Sequence, residues 1–229
     1  MKKQLLFLLF ILSCSLAFAI HYSEKDVLNE SINKDNTHIS PQVEFIKWYK
    51  QAEEKLGVTD ARAMTLSTVT KDGHPNARIM NAMVSPDGEI VFYGHRDSLK
   101  FKEIESNPNV SITFYWSQLQ KQVIIAGAAE KISRELAVKR FKERKRELQI
   151  ASHVSDQGKE LLSQDQLEQK YKDIEKQYKD KDIPCPDTWV GYKVKPTIYK
   201  FWHAGHNGMH STVEYYKMHG SWKKKLLQP

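Results

Sequence analysis

Residues 184–210 read PCPDTWVGYKVKPTIYKFWHAGHNGMH, and this stretch decides how the rest of the chain is read. Pro184, Pro186 and Asp187 stiffen its start. Over 189–195 large apolar and polar residues alternate, the period of a half-buried strand. Pro196 interrupts that run, because proline has no N–H to give to a ladder. Residues 197–202 resume it and end on Phe201 and Trp202. Small residues and His203, His206 and His210 then form a polar rim. Trp202 has two readings: a core residue at a strand end, or a platform for a flat aromatic ligand.

Outward from this stretch the pattern is mostly short strands. Downstream, strands are expected from Val213 and from Trp222. Upstream, residues 64–70, 75–84, 89–93, 110–116 and 122–132 are strand-length runs. Lys71-Asp72-Gly73 and Pro86-Asp87-Gly88 supply turn chemistry between them. Helices are expected at 41–56, with Ser40 and Pro41 opening it and Gly57 stopping it. Phe45, Tyr49, Ala52 and Leu56 mark its apolar face. Further helices are expected at 98–107, 133–148 and 163–179. One domain over 41–229, mainly β with flanking helices (α+β) and closed or split as a barrel, fits this order.

The start of the chain bears on location. Lys2 and Lys3, the apolar run 5–12 and Ala17-Phe18-Ala19 have the make-up of a secretory signal peptide over 1–19. Cys14 leaves a lipidated alternative open. The expectation is an exported protein, periplasmic or secreted, meeting a membrane only during export. Residues 20–40 are polar and are read as a mobile leader. Cleavage would reduce the net charge from +7 by the two lysines and leave Cys185 as the one cysteine, with no intrachain disulfide. Basic residues are interspersed with acidic ones, and no nucleic-acid motif is present.

No Gly-x-Ser-x-Gly, His-Glu-x-x-His or cysteine cluster occurs. The three late histidines lack a nearby carboxylate or thiolate, so no metal is assigned. An anion site has more support: Arg78 on a strand and Lys100 in the first turn of a helix can both meet a phosphate. A solvated surface is the competing reading.

Asp187 through Tyr216, Trp222 and the terminal Leu-Leu-Gln-Pro resemble the C-terminal signature of the pyridoxamine 5′-phosphate oxidases, and the register continues back to Met64. The resemblance implies an FMN-binding split β-barrel, a homodimer, and flavin-dependent oxidation of a small phosphorylated substrate. It assigns Arg78, Ile79, Met80 and Lys100 to the FMN phosphate region, and Tyr93, Gln122, Gln157 and Trp202 to the flavin. Arg140 and Arg144, four apart on an expected helix, would face the substrate anion. His210 would orient the substrate as the catalytic candidate. The departures fall mainly on the substrate side: Met83, Arg140, Leu148 and Gly208 stand where the family has Lys, Tyr, Ser and Arg. Leu99 and Thr212 each replace an arginine around the cofactor. These changes imply an altered or weakened substrate site. Another substrate, or non-enzymatic binding of flavin or haem, are the alternatives.

Overall fold

A computed structural model describes residues 40–161 and 163–229. The expected signal peptide, 1–19, and the expected leader, 20–40, apart from its last residue, lie outside the described residues.

Helix α1 (Pro41–Leu56) starts at Ser40 and stops at Gly57, whose φ of 85° is left-handed. Its buried face is Phe45, Trp48, Tyr49 and Ala52. Trp48 was absent from the expected face and Leu56 is only half-buried. A one-turn helix α2 (Val58–Ala61) follows, which the sequence reading lacked. Strand β1 (Ala63–Val69) alternates in burial as expected. The expected strand 75–84 divides into β2 (Pro75–Asn81) and β3 (Met83–Val84). The break is Ala82, buried, whose N–H leaves the ladder for Arg62 O at 2.8 Å. Strand β4 (Ile90–His95), helix α3 (Leu99–Ser106), and strands β5 (Asn109–Trp116) and β6 (Lys121–Lys131) complete the first half.

The expected helix 133–148 is two helices, α4 (Arg134–Lys142) and α5 (Arg146–Val154). Gln149 explains the break. Its amide Nε2 donates to Phe141 O, Lys142 O and Arg144 O at 3.1, 3.2 and 3.1 Å, satisfying carbonyls that a helix end leaves orphaned. Helix α6 (Gln164–Gln177) falls within the expected 163–179 and is capped by Ser163, whose side chain accepts from Gln166 N.

Strand β7 (Trp189–His203) is continuous through Pro196 and organises the sheet. The antiparallel order is β2-β1-β5-β6-β7-β4-β3, with β8 (Ser211–Met218) also on β7 and β9 (Ser221–Leu227) on β8. Along one edge residues 192–203 of β7 pair with β6; along the other, residues 189–193 pair with β4 and 198–203 with β8. Pro196 falls in the gap between those two partners, where a missing N–H costs little. Thr197 is the extra residue of a bulge opposite Ala126 and Gly127. Gly127 is required there: a Cβ would lie 2.1 Å from Lys195 O.

The inner face of this curled sheet carries Met64, Leu66, Ile112, Phe114, Val123, Ile125, Tyr199 and Phe201, all buried. Helix α1 closes it, with Phe45 against Phe114 at 5.4 Å and Trp48 edge-on to Phe201 at 5.3 Å between centroids. Each such ring contributes about 1.5–3 kcal/mol by burial. A second cluster, Val91, Ile132, Phe141, Ile150, Val154 and Trp189, lies between the outer face of β4 and β7 and helices α4 and α5; Leu167, Tyr171 and Ile174 of α6 pack on it.

Candidate functional site

The candidate residues fall into three groups. The first is a cationic cradle. Arg78 points inward from β2, and its Nη2 lies 3.3 Å from Glu103 Oε2 on α3. Its Nη1 donates to Leu66 O at 3.3 Å and to Thr68 Oγ1. Glu103 is only 3% exposed and also accepts from Thr68 and Asn76. Arg78 is therefore anchored by a buried acid while keeping a quarter of its surface open.

Lys100 is different. Its Nζ donates to Gln157 Oε1 at 2.8 Å and Ser98 Oγ at 3.0 Å, with no carboxylate paired to it among the described residues. Burial, and then the neighbouring Arg78 charge, push it down to about 8. Ser98 stands at the N-cap of α3 but its side chain makes no capping bond, holding Lys100 instead. Gly94 completes the cradle: a Cβ there would lie 3.1 Å from both Lys100 Cε and Gln157 Oε1. Two cations, a hydroxyl and a side-chain-free wall are a donor set suited to a phosphate. Ile79 faces away from Arg78, 79% exposed, while Met80 shares Arg78's side of the strand.

The second group lies on the outer face of β4 and β7. Tyr93 stacks on Trp189, 4.5 Å between centroids and 3° between planes. The Arg144 guanidinium sits 5.2 Å from the Trp189 ring centroid, and its Nη1 donates to Ser152 Oγ at 2.8 Å. Burial lowers its pKa from the ordinary value. Arg140 lies on α4 near enough to Tyr93 for their charges to interact, but its Nη1 is paired with Glu143 Oε2 at 2.8 Å. The two arginines do not share a helix as expected, because α4 ends at Lys142 and Arg144 falls in the turn.

The third group is a row across the outer face of β5 to β8: Tyr115, Gln122, Trp202 and Thr212 are register partners in turn. His210 lies 5.0 Å from Trp202 between ring centroids, and its Nδ1 accepts from Gly205 N at 3.3 Å, which places the proton of a neutral ring on Nε2. Gly208 has a left-handed φ of 76°.

Sequence reasoning missed Glu103, Ser152 and Arg134. Arg134 donates to Pro186 O, Trp189 O and Cys185 O at 3.0, 3.1 and 2.7 Å and so fixes the start of β7. A single acid or arginine in a chain this rich in both carries no local signal.

A curled antiparallel sheet with one long shared strand, and a phosphate-suited cradle at its rim, define a split β-barrel protein. A family model described as pyridoxamine 5′-phosphate oxidase matches residues 51–178, and one described as the pyridoxine 5′-phosphate oxidase C-terminal dimerisation region matches 189–229. The pyridoxine/pyridoxamine 5′-phosphate oxidase of Leptospira biflexa is 33% identical over 198 residues, 86% of this chain and 93% of the relative. That of Christiangramia forsetii is 32% identical, covering 91% and 95%. Among solved structures, PhzG from Burkholderia lata 383 in complex with tetrahydrophenazine-1-carboxylic acid superposes with a TM-score of 0.79 at 25% identity, covering 85% of this chain and 95% of that one. The chain belongs to the pyridoxamine 5′-phosphate oxidase family.

Proposed function

We propose that the protein is an exported, homodimeric, FMN-dependent oxidase of the pyridoxamine 5′-phosphate type whose substrate site has diverged. The observation that carries the cofactor is the Lys100 cradle: a half-buried cation with no acid paired to it among the described residues, walled by Gly94 and steadied by Gln157. Arg78 and Lys100 would hold the FMN phosphate, and Tyr93, Gln122, Gln157 and Trp202 would surround the flavin. Arg144 would bind the substrate anion and His210 would orient the substrate, its Nε2 proton directed by the bond at Nδ1. Bound FMN supplies a two-electron acceptor for the carbon bearing the amine or hydroxyl, with oxygen as the final oxidant and hydrogen peroxide the by-product.

The strand β7 supports the dimer. Trp189 and Trp202 are thirteen residues apart on it, about 40 Å in extended chain. A single small ligand cannot touch both in one chain, whereas a second copy can bring its Trp202 row to the first copy's Lys100 and Tyr93. The match to a dimerisation region over 189–229, which contains Trp202 and His210, agrees with that arrangement.

The test is the absorbance spectrum of the purified protein, followed by anaerobic bleaching with pyridoxamine 5′-phosphate and related amines. A flavin spectrum that one of these bleaches supports the reading. A colourless protein that does not take up added FMN overturns it.

A further inference from the structure

The loop between β7 and β8 carries a residue pair with a chemistry of its own. Asn76, Asn81, Asn107, Asn109 and Asn207 are the asparagines among the described residues, and of these Asn207 alone precedes a glycine. An asparagine carboxamide and the next backbone nitrogen can close a five-membered ring, an intramolecular step favoured by proximity. A side chain on the following residue hinders that approach. Gly208 offers no such hindrance: nothing lies within 4 Å of where its Cβ would be. Both residues are exposed, and no hydrogen bond holds the Asn207 side chain or the Gly208 N–H among the described residues.

The other asparagines lack these conditions. Asn76 donates to Glu103. Asn107 precedes Pro108, whose nitrogen has no proton to lose. Asn81 and Asn109 precede Ala82 and Val110, both buried.

The loop sets how fast the ring can close. Asn207 has φ 53° and ψ 34°, which puts Gly208 N on the far side of the Cα–C bond from Cβ. The peptide must turn about ψ before the nitrogen reaches Cγ. One backbone bond, Met209 N to His206 O at 3.0 Å, closes the turn across that rotation. The base of the loop is held separately, by Ala204 N on Gln120 O at 3.0 Å and Gly205 N on His210 Nδ1 at 3.3 Å. The tip can therefore open while the strands stay paired.

We infer that Asn207 is a site of spontaneous modification, converted to aspartate and isoaspartate through a cyclic imide formed with Gly208. Water is the only co-reactant. Hydroxide takes the Gly208 amide proton, and the nitrogen bonds to Asn207 Cγ. The Cγ–Nδ2 bond breaks and Nδ2 leaves as ammonia. Water then adds to one of the two imide carbonyls. Breaking the new Cγ–N bond gives aspartate; breaking the original backbone C–N bond gives isoaspartate, with the chain rerouted through the side chain. No electrons are transferred. Either product adds a negative charge to the loop that carries His210, and isoaspartate also lengthens the backbone there.

The test is incubation of the full-length protein as isolated, at pH 7 and pH 9, followed by peptide mapping. Trypsin releases residues 201–217, which contain Asn207 and no other asparagine. That peptide should gain the mass difference between amide and acid and become a substrate for isoaspartyl methyltransferase. Peptides holding Asn76, Asn81, Asn107 and Asn109 should not change. Conversion should run about two- to tenfold slower than in a synthetic 201–217 peptide, because one exposed hydrogen bond must first break. From pH 7 to pH 9 it should speed up by about tenfold or more, since the deprotonated nitrogen attacks. Asn207→Gln, which would have to close a larger ring, should slow it by at least about tenfold. No conversion of the protein while the peptide converts fully overturns the inference. So does a rate indifferent to pH or to Asn207→Gln, or equal conversion at Asn81 or Asn109. Neither FMN nor substrate enters these steps, so the outcome stands apart from the oxidase reading, which the flavin spectrum of the same sample tests.

Discussion

Glu103 Oε2 lies 3.3 Å from Arg78 Nη2, so the arginine nearest the phosphate cradle is also half of a buried ion pair. Removing one partner of such a pair typically costs 3–5 kcal/mol. Arg78 is a quarter exposed, so Arg78→Ala should lower unfolding free energy by about 2–3 kcal/mol. Urea denaturation measures this. Riboflavin, which lacks the phosphate, should then be weakened together with FMN. Loss of FMN affinity alone, with an unchanged urea midpoint, would show that the pair with Glu103 contributes nothing to the fold.

Lys100 should behave in the opposite way. Its charge is held against burial, with a pKa of about 8 in the folded chain and about 10.4 unfolded. Between those values the unfolded chain binds more protons, so this group makes stability rise with pH across roughly pH 8 to 10. Below pH 8 the buried charge is a standing cost. Lys100→Met should therefore leave the melting temperature at pH 7 unchanged or raised, while FMN affinity falls by about one to two decades. FMN binding by the unmodified protein should weaken as pH rises above about 8, up to tenfold per unit. Calorimetric titrations at pH 7, 8 and 9 would expose a flat profile.

Restoring the family's charged residues at Gly208 and Met83 should not be symmetrical. The backbone at Gly208 has a φ of 76°, where an L-residue costs about 1–2 kcal/mol. Gly208→Arg should lower stability by that amount even if it recovers activity, whereas Met83→Lys, at an exposed strand position, should not. Peroxide release from FMN-loaded protein with pyridoxamine 5′-phosphate should rise only when both are present, from a weak or undetectable starting value. Turnover by the unmodified protein with a micromolar Michaelis constant would mean that Arg140 and Arg144 already suffice.

Arg134→Ala should loosen the start of β7, because three backbone carbonyls at 185, 186 and 189 lose their donor. Hydrogen bonds from a charged group are worth about 1.5–3 kcal/mol. The expected signature is a loss of that order together with faster hydrogen exchange at Trp189 and Val190. Protection unchanged at those amides would remove Arg134 from this role.

The proposed export predicts a mature chain starting at Ile20, after Ala17-Phe18-Ala19. N-terminal sequencing of protein recovered from cells reads this directly; Met1 on a cytosolic protein contradicts it.

Most of the sheet was legible because its strands are half-buried, so alternation survives in β1, β5, β6 and the later part of β7, whereas residues 189–192, expected to alternate, are all buried because both faces of β7 are covered there. Three features were not. The continuity of β7 through Pro196 depends on which neighbour lies beside it, and that is a tertiary fact. The division of 133–148 depends on Gln149 folding back onto carbonyls five to eight residues earlier. The anchoring of Arg78 depends on Glu103, twenty-five positions away on a different element. Within the candidate site, the resemblance picked out Lys100 and Gln157, which the structure joins by a hydrogen bond. It gave no sign that Arg140 is occupied by Glu143, since local ion pairs are set by side-chain reach and not by residue type.

The span of β7 has a genetic consequence. If each flavin site takes Lys100 from one chain and Trp202 from the other, a Lys100→Met chain and a Trp202→Ala chain are each defective at both sites of their own dimers. Refolded together in equal amounts, half of the dimers are mixed, and in each of these one site inherits both lesions while the other inherits neither. Complementation should restore up to about one quarter of the wild-type flavin content. If Lys100 and Trp202 serve a site within one chain, mixing restores nothing.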